Sequence, residues 1–403
     1  MNRNWTKIFE IVNKPGRLII GLMSGTSLDG LDIALCRIIG SGLSTTLQLE
    51  RFTTIAYADE LKAEIKQVFS KRAVDLQMVA LMNEKIAITH AGMILDTLKL
   101  WGIEAGEVDV IASHGQTIFH APASLHGLEE YPDATLQIGD GDHIAVRTGI
   151  ITISDFRQKH VAAGGEGAPL AVYGDYLLFS EPGEVRFMLN IGGIANFTFL
   201  PGDAGKPMFS TDVGPGNTLM DQFMQQHYGV AFDRDAAVAS RGKVSESLLG
   251  ELMLTPFLAA GFPKTTGPEL FNLDLLREAM EGSATLQLSN EDVMATLSAF
   301  TARAIAAAVE RCLLESDLAG GEPRPAIYLS GGGMHNPLLV RRLHALLPGC
   351  DFFTTKDLGF DPDAKEAALF ALLANETLVG QGQDFSAAIG IPAVSMGKIS
   401  FPY

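Results

Sequence analysis

Two segments of this chain hold residue types that could handle phosphate and move protons. The first, Gly21-Leu-Met-Ser-Gly-Thr-Ser-Leu-Asp-Gly30, sets Gly21, Gly25 and Gly30 among Ser24, Thr26, Ser27 and Asp29. Glycine lets the backbone turn sharply and approach a ligand closely, and successive N–H groups in such a turn can form an anion-holding nest. Many structural hairpin turns look the same, so phosphate binding and a plain turn both stand open here. The second segment, Ser210-Thr-Asp-Val-Gly-Pro-Gly-Asn217, puts Asp212 just ahead of a rigid Gly-Pro-Gly bend, with a helix expected to start near Asn217. A carboxylate on a stiff support suits a general base, which needs fixed geometry. The other reading is a turn or N-capping aspartate.

Further candidates follow the same two chemistries. Asn190-Ile-Gly-Gly-Ile-Ala-Asn196 is a second glycine turn at the start of the second half, and its recurrence strengthens the phosphate reading. Ser330-Gly331-Gly332-Gly333 lies between a strand and a helix start, where absent side chains leave room for an adenine or ribose and the helix end favours negative charge. A simple strand-to-helix turn would need only one of those glycines. His114, beside Gln116, either hydrogen-bonds substrate or satisfies backbone. Arg157, in Asp155-Phe-Arg157, is a natural partner for a carboxylate and equally for an internal salt bridge. Glu366 reads as exposed helix surface. Phe232–Asp235 and Lys264–Gly267 are polar clusters that suit a lid or a solvated loop. Walker A, GxGxxG, GxSxG and zinc-spaced His/Cys patterns are absent, so a nucleotide would need a different scaffold.

The elements that must position these residues repeat a plan. Strands are expected over 17–24, 31–39 and 46–56, helices over 58–70 and 75–101, and a buried strand at Val108–Ala112 that runs into Ser113-His-Gly-Gln-Thr117. Chemistry commonly sits at the carboxyl ends of such strands. Residues 121–185 read as irregular, with short strands at Thr135–Ile138 and Ile150–Ile153, and long irregular stretches often carry function. The second half starts over: strands Phe187–Ile191 and Ala195–Leu200 around Gly192-Gly193, then helices near 216–227, 244–258, 272–280 and 290–316. A strand at Ala326–Leu329, a helix from Asn336 and a last helix over 364–379 complete it. The architecture is doubled although the letters are not.

Composition sets limits on partners. At 403 residues and 47% hydrophobic, the chain exceeds what one core holds, so two domains are expected. A net charge of −17 argues against nucleic acid or an anionic membrane as partner. Cys36, Cys312 and Cys350 form no paired pattern, which fits a reducing cytoplasm. No apolar run reaches the roughly 18–20 residues of a membrane span. The first 14 residues lack the apolar core of a signal peptide and read as a short extension that packs on the surface or frays.

Gly21–Gly30, Ser113–Thr117, Asp155-Phe-Arg157 with Ala162–Pro169, Asn190–Gly193, Asp212–Asn217, Phe232–Asp235 and Gly331–Gly333, in that order across about residues 17–380, together resemble the anhydro-N-acetylmuramic acid kinase family. The resemblance implies an α/β fold of the sugar kinase, actin and 70-kDa chaperone superfamily: two ribonuclease-H-like (actin-like ATPase) domains of mixed sheets flanked by helices, with an ATP cleft between them. It places the first domain at 15–185 plus 380–403 and the second at 186–379. The implied activity is an ATP-dependent sugar kinase of cytoplasmic peptidoglycan recycling and amino sugar metabolism. It would hydrolyse the 1,6-anhydro ring of anhydro-N-acetylmuramic acid and phosphorylate O6, giving N-acetylmuramic acid 6-phosphate and ADP.

Roles carry over residue by residue. Asp212 would deprotonate the attacking water, and Glu366 would be a second acid of the site. Gly25, Thr26, Ser27, Leu28, Asp29 and Gly30, with Gly192 and Gly193, would cradle phosphates, and Gly331, Gly332 and Gly333 would contact the nucleoside. His114, Gln116, Arg157, Gly214 and Asn217 would bind the sugar, Arg157 through its lactyl carboxylate. ATP and Mg²⁺ are the implied cofactors. The metal ligands stay unassigned, because Leu22 or Met23 and Asn190 stand where the wider superfamily puts an aspartate at the start of each phosphate hairpin. The implied partners are the anhydro-sugar and ATP, with a homodimer left open. The competing readings are a levoglucosan (anhydroglucose) kinase, which Arg157 disfavours, and a non-catalytic ATP-binding regulator, which Asp212 in a rigid turn disfavours.

Overall fold

The computed structural model describes every residue except 1, 26, 27, 204, 205, 319, 322, 381–391 and 393. The chain forms two units: unit 1 runs to Leu178 and resumes at Asp363, and unit 2 spans Phe179–Pro362.

Unit 1 opens with α1 (Arg3–Val12), whose Trp5 meets Phe401 edge-on at 5.4 Å. Three strands follow in an antiparallel meander: β1 (Gly16–Ser24), β2 (Gly30–Ile39) and β3 (Thr46–Ala56). After α2 (Asp59–Val68) and α3 (Leu76–Trp101) comes β4 (Val110–Ala121), which joins the free edge of β1 in parallel. Asp75 caps the start of α3 by accepting the Gln77 N–H, and Gly102 in the left-handed region ends it. Then come α4 (Ala123–His126), β5 (Ala134–Ile138) against the end of β4, α5 (Gly141–Thr148), β6 (Ile151–Ser154) parallel to β4, α6 (Phe156–Ala162) and α7 (Ala171–Phe179).

Unit 2 repeats the order with its own strands. β7 (Arg186–Ile191), β8 (Ile194–Leu200) and β9 (Phe209–Pro215) form the antiparallel meander. Helices α8 (Thr218–Tyr228), α9 (Glu246–Met253), α10 (Pro256–Ala259), α11 (Leu273–Gly282) and α12 (Asn290–Glu315) follow. β10 (Ala326–Ser330) then adds parallel to β7, and after α13 (Pro337–Leu346), β11 (Asp351–Thr354) adds parallel to β10. The chain returns to unit 1 as α14 (Lys365–Val379) and β12 (Lys398–Ser400), the latter antiparallel on β6. The sheets read β12-β6-β4-β1-β2-β3 and β11-β10-β7-β8-β9. Each is a meander whose first strand carries two parallel strands on its other edge, the ribonuclease-H-like plan that the resemblance implied.

One glycine explains how α14 lies on unit 1. A Cβ at Gly21, in the middle of β1, would sit 1.9 Å from the carbonyl oxygen of Ala367. The alanine-rich face of α14 (Ala367, Ala368, Ala371) is thereby seated against bare backbone, and Ile20, Leu22, Ile33, Ile86 and Ile111 fill the opposite side of the sheet as a closed core. In unit 2 the core gathers Phe187, Phe197, Phe199, Val309 and Ile327 against the sheet. Burying each such side chain contributes about 1.5–3 kcal/mol.

Five expectations need correction. The last helix was placed in the second domain and the boundary at 185/186; the structure moves the boundary to 178/179 and gives α14 to unit 1, where its small residues lie against the groove that Gly21 opens. Residues 121–185 are far from irregular. Their helices and strands are short and closed by polar caps, such as Asp140 and Gly149 at the ends of α5, so no long periodicity shows. Residues 209–215 are a strand although they carry Gly-Pro; β9 is a sheet edge, where a missing N–H costs no ladder bond. The helix expected at 244–258 is two helices, with Pro256 starting the second. α12 is also long and apolar enough by composition to cross a membrane, contrary to the reading of the letters, but 83% of that stretch is buried inside the fold.

Candidate active site

The two candidate sets fall on different units, and each is built separately. In unit 1 the strands β1 and β4 run parallel, so Ser24 and Gln116 end side by side. Leu28 closes the turn after β1 with φ of +60° and donates its N–H to the Gly25 carbonyl at 3.3 Å. Thr26 and Ser27 lie outside the described residues. Asp29 is exposed, and its carbonyl accepts the Tyr57 N–H at 3.0 Å. Gly30 is glycine for packing: a Cβ there would come within 2.2 Å of the Ile55 carbonyl oxygen.

Gln116, expected to bind the sugar, has its side chain engaged within unit 1. It is fully buried, accepts the Ser24 hydroxyl at 2.5 Å, and donates to the carbonyls of Gly25 and Thr117 at 3.2 Å each. Its donors are spent on the turn. His114 is 2% exposed and stacks obliquely on Phe370. Its Nε2 accepts from Arg157 Nε at 2.9 Å, so it too reaches a ligand only through another residue. Burial first, and the Arg157 charge second, hold this imidazole well below its ordinary value, which keeps it neutral.

Arg157 sits at the start of α6 and is braced twice, by His114 and by donation from Nη1 to the Gly167 carbonyl at 2.7 Å. The loop after α6 is itself tied to His160, whose Nδ1 accepts the Gly167 N–H at 2.9 Å. Burial lowers the Arg157 guanidinium to about 10 while Glu366 opposes that shift. Glu366, on the first turn of α14, is exposed as a residue, as its helical position suggested, but its carboxyl group is largely withdrawn from water. Its carboxyl is pushed upward by desolvation first and by Asp32 second, with Arg157 and Lys365 pulling it down. Asp32 escaped notice in the sequence because on β2 it looks like an ordinary outward residue. It accepts the Thr54 hydroxyl at 2.6 Å, and desolvation, Asp363 and Asp29 raise its carboxyl. Among the described residues no group of three or more His, Cys, Asp or Glu side chains converges as a metal site.

In unit 2 Asp212 projects from the middle of β9, cross-strand from Asn196. The segment Lys264–Gly267 is neither lid nor free loop: the Lys264 carbonyl accepts the Asp212 N–H at 2.9 Å, and the Thr266 N–H donates to Asp212 Oδ2 at 2.8 Å. Thr211 Oγ1 accepts the Lys264 N–H at 3.0 Å and fixes the same segment. The other carboxylate oxygen, Oδ1, has no protein partner among the described residues. Desolvation pushes the Asp212 carboxyl up to about 6, with Glu269 adding and the Thr266 bond subtracting. One oxygen anchored and one uncommitted, at a value near neutrality, is what a proton acceptor requires. The N-cap reading fails, since the helix begins six residues later at Thr218.

The glycines of unit 2 divide between packing and access. Backbone N–H groups of Gly216 and Thr218 donate to the Gly193 carbonyl at 2.9 and 3.1 Å, and that of Asn217 to the Gly192 carbonyl at 2.8 Å. The start of α8 is thus docked on the β7–β8 turn, with Asn217 Nδ2 also reaching the Ile191 carbonyl at 3.2 Å. Gly214 is buried, and a Cβ there would meet the Ala304 methyl at 2.9 Å, so close packing on α12 favours glycine there. Cβ atoms at Gly331 and Gly333 would fall 2.5 Å from Asn190 Oδ1 and 2.3 Å from Ile191 Cγ2; only Gly332 faces open space, with Asn217 Nδ2 at 3.8 Å. Close contact with β7 therefore accounts for two of the three. The helix end expected to draw negative charge is already satisfied, as Asn336 Oδ1 accepts the N–H groups of Leu338 and Leu339. Phe232–Asp235 is likewise structural: Asp233 caps Val238 and Ala239 at 2.9 Å each.

Comparison with known proteins completes the picture. The family model for anhydro-N-acetylmuramic acid kinase matches residues 17–401. The chain is 54% identical to the anhydro-N-acetylmuramic acid kinase of Pseudoalteromonas atlantica, over 100% of both chains. It is 38% identical to that of Caldanaerobacter subterraneus subsp. tengcongensis, over 98% of this chain and 99% of the relative. Among solved structures, the activator of the 2-hydroxyisocaproyl-CoA dehydratase from Clostridium difficile with bound ADPNP aligns over 90% of this chain and 95% of its own, at 14% identity and a TM-score of 0.38.

Proposed function

Since the chain belongs to the anhydro-N-acetylmuramic acid kinase family, we propose that it opens the 1,6-anhydro bridge of anhydro-N-acetylmuramic acid with water and transfers the γ-phosphoryl of ATP to the freed O6. Asp212 carries the reading: a carboxylate fixed through one oxygen, with the other uncommitted and the group raised to about 6. In the proposed step Asp212 Oδ1 takes a proton from water as the water oxygen bonds to the anomeric carbon. The bond from that carbon to O6 breaks, and its electron pair stays on O6. That oxygen attacks the γ-phosphorus, ADP leaves, and the proton on Asp212 is lost to solvent. Sugar, water and ATP thus become sugar 6-phosphate, ADP and a proton.

The remaining roles follow from chemistry already described. Arg157, held by His114 and Gly167, keeps its guanidinium oriented for the lactyl carboxylate, and a held fork loses less freedom on binding than a loose one. His114 and Gln116 position Arg157 and the Gly25 turn and do not touch sugar. Glu366 is a second carboxyl of the unit 1 set. Residues 25–30 would be the phosphate-binding segment, and Gly332 leaves room for the nucleoside. Mg²⁺ supplies neutralisation of phosphate charge when it accompanies ATP; Asp29, exposed on the turn, is a carboxylate of the kind that holds it through water. The proposed reaction belongs to the cytoplasm, where ATP is available, and its substrate places it in recycling of cell-wall sugar.

Turnover in ¹⁸O-labelled water tests the order of bonds. The label is expected on the anomeric hydroxyl of the product and not in its phosphate; label in the phosphate would overturn the scheme. A pH profile tests the base. Asp212 must be ionised to accept the proton, so kcat/KM should fall about tenfold per pH unit below about 6 and level off above it. A flat profile between about pH 5 and 8 would exclude Asp212 as the base.

A further inference from the structure

Inside unit 1 a chain of buried polar groups connects α3 to the Gly25 turn. His90, Tyr57, Ser24 and Gln116 are each no more than 3% exposed. His90 Nε2 lies 2.7 Å from the Tyr57 hydroxyl, which lies 2.8 Å from Ser24 Oγ, and Ser24 Oγ is 2.5 Å from Gln116 Oε1. Gln116 Nε2 ends the chain on the carbonyls of Gly25 and Thr117.

The direction of every proton follows from this last link. Only the amide nitrogen can donate to two carbonyls, so the amide oxygen is the acceptor and Ser24 gives it its one proton. Ser24 Oγ then accepts from Tyr57, and Tyr57, its proton committed, accepts from His90 Nε2–H. The remaining ring nitrogen, His90 Nδ1, must be the bare acceptor, and it is the atom of this chain that has no partner. An unmade acceptor is easier to tolerate than an unmade donor. Burial lowers the His90 imidazole to about 4, so the ring stays neutral and the direction cannot reverse near neutral pH.

A hydrophobic set of the same shape would serve the core equally well, since replacing both partners of a buried hydrogen bond by apolar groups is nearly neutral. We infer that His90, Tyr57, Ser24 and Gln116 are positioning residues, a one-way hydrogen-bond chain that fixes the Gly25 carbonyl at the end of β1 and thereby sets the affinity of the site for nucleotide phosphate. The inference rests on the reading of Gly25 as part of the phosphate cradle.

The test begins with Tyr57→Phe, which breaks the chain in its middle while keeping the ring. KM for ATP is expected to rise about tenfold, the worth of one buried hydrogen bond, with kcat and KM for the sugar changed by no more than about twofold. Ser24→Ala should do the same. Gln116→Glu keeps the oxygen that Ser24 needs but loses the donor to Gly25, and should cost at least as much. Imidazole ¹⁵N spectra of the wild-type protein supply a readout that needs no variant: His90 should carry its proton on Nε2, and that signal should shift when ADP is added. An unchanged KM for ATP in Tyr57→Phe and Ser24→Ala, or a proton on Nδ1, overturns the inference. Gly25→Val separates the two levels. If it weakens ATP binding measured by calorimetry while Tyr57→Phe does not, only the chain is wrong; if it leaves ATP binding intact, the cradle and the chain fall together.

Discussion

Asp212→Asn is expected to lower kcat by about 10³–10⁴-fold while leaving the dissociation constant of ATP within about twofold. An amide fits the same space and still accepts the Thr266 N–H through its oxygen, so β9 and its partner segment keep their geometry. It cannot take the proton of water. Single-turnover kinetics with calorimetry for nucleotide checks both halves, and weakened ATP binding with normal turnover would contradict the role given to this residue. The same variant should be more stable. Folded Asp212 titrates near 6, above the 3.8 of the free side chain, so the folded chain holds a proton that the unfolded chain has released between those values. Stability therefore falls as pH rises through that window, and the deficit is complete above about 6. Replacing the carboxyl removes it. Melting at pH 7–8 should show a gain on the order of 1–2 kcal/mol, discounted for partial exposure, shrinking toward zero near pH 4. A variant less stable than wild type at pH 8 would show that desolvation of this carboxyl is not what raises it.

Gly21→Ala should be the most damaging small change in the fold. The added methyl meets the Ala367 carbonyl at 1.9 Å, and neither partner is a flexible side-chain tip: one is the central strand of unit 1, the other the backbone of α14. Separation of helix from sheet by even an ångström strips contacts along the whole face. A loss of about 3 kcal/mol or more is expected, a fall of roughly 6–12 °C in the melting of unit 1, with that of unit 2 little altered. Calorimetry resolves the two transitions. Gly102→Ala, at a helix end where no atom lies within 4 Å of a Cβ, is the control: its φ of +70° costs about 1 kcal/mol, but no packing is lost.

The strands of the first meander and β7 and β8 of the second were legible because alternating and continuous apolar runs such as Leu18–Leu22 and Phe187–Ile191 have no other stable use, whereas the Gly-Pro of β9 hid that strand. The rigid setting of Asp212 was legible too, through the Gly-Pro-Gly that follows it. What stayed hidden was any relation set by partners far along the chain. Nothing near Gln116 or His114 tells that their polar ends are engaged by Ser24, Gly25 and Arg157. Gly331 and Gly333 looked like space for a nucleoside, while Ile191, 140 residues upstream of Gly331, takes that space. Lys264–Gly267 looked like a loose loop because its partner, Asp212, is 54 residues from Thr266. Close approach and hydrogen-bond occupancy are tertiary facts, and local spacing does not encode them.

The order in which this polypeptide leaves the ribosome has its own consequence. Among the described residues unit 2 is continuous, so its hydrophobic core is present once residue 362 has emerged. The first 178 residues cannot finish at that stage, because the helix that covers the bare backbone at Gly21 is encoded after residue 364. The earliest part of the chain to be made is thus the last to be completed, and through most of translation its central strand shows an uncovered apolar face. A nascent chain stalled before α14 is the form in which this protein is most exposed to aggregation and to chaperone capture.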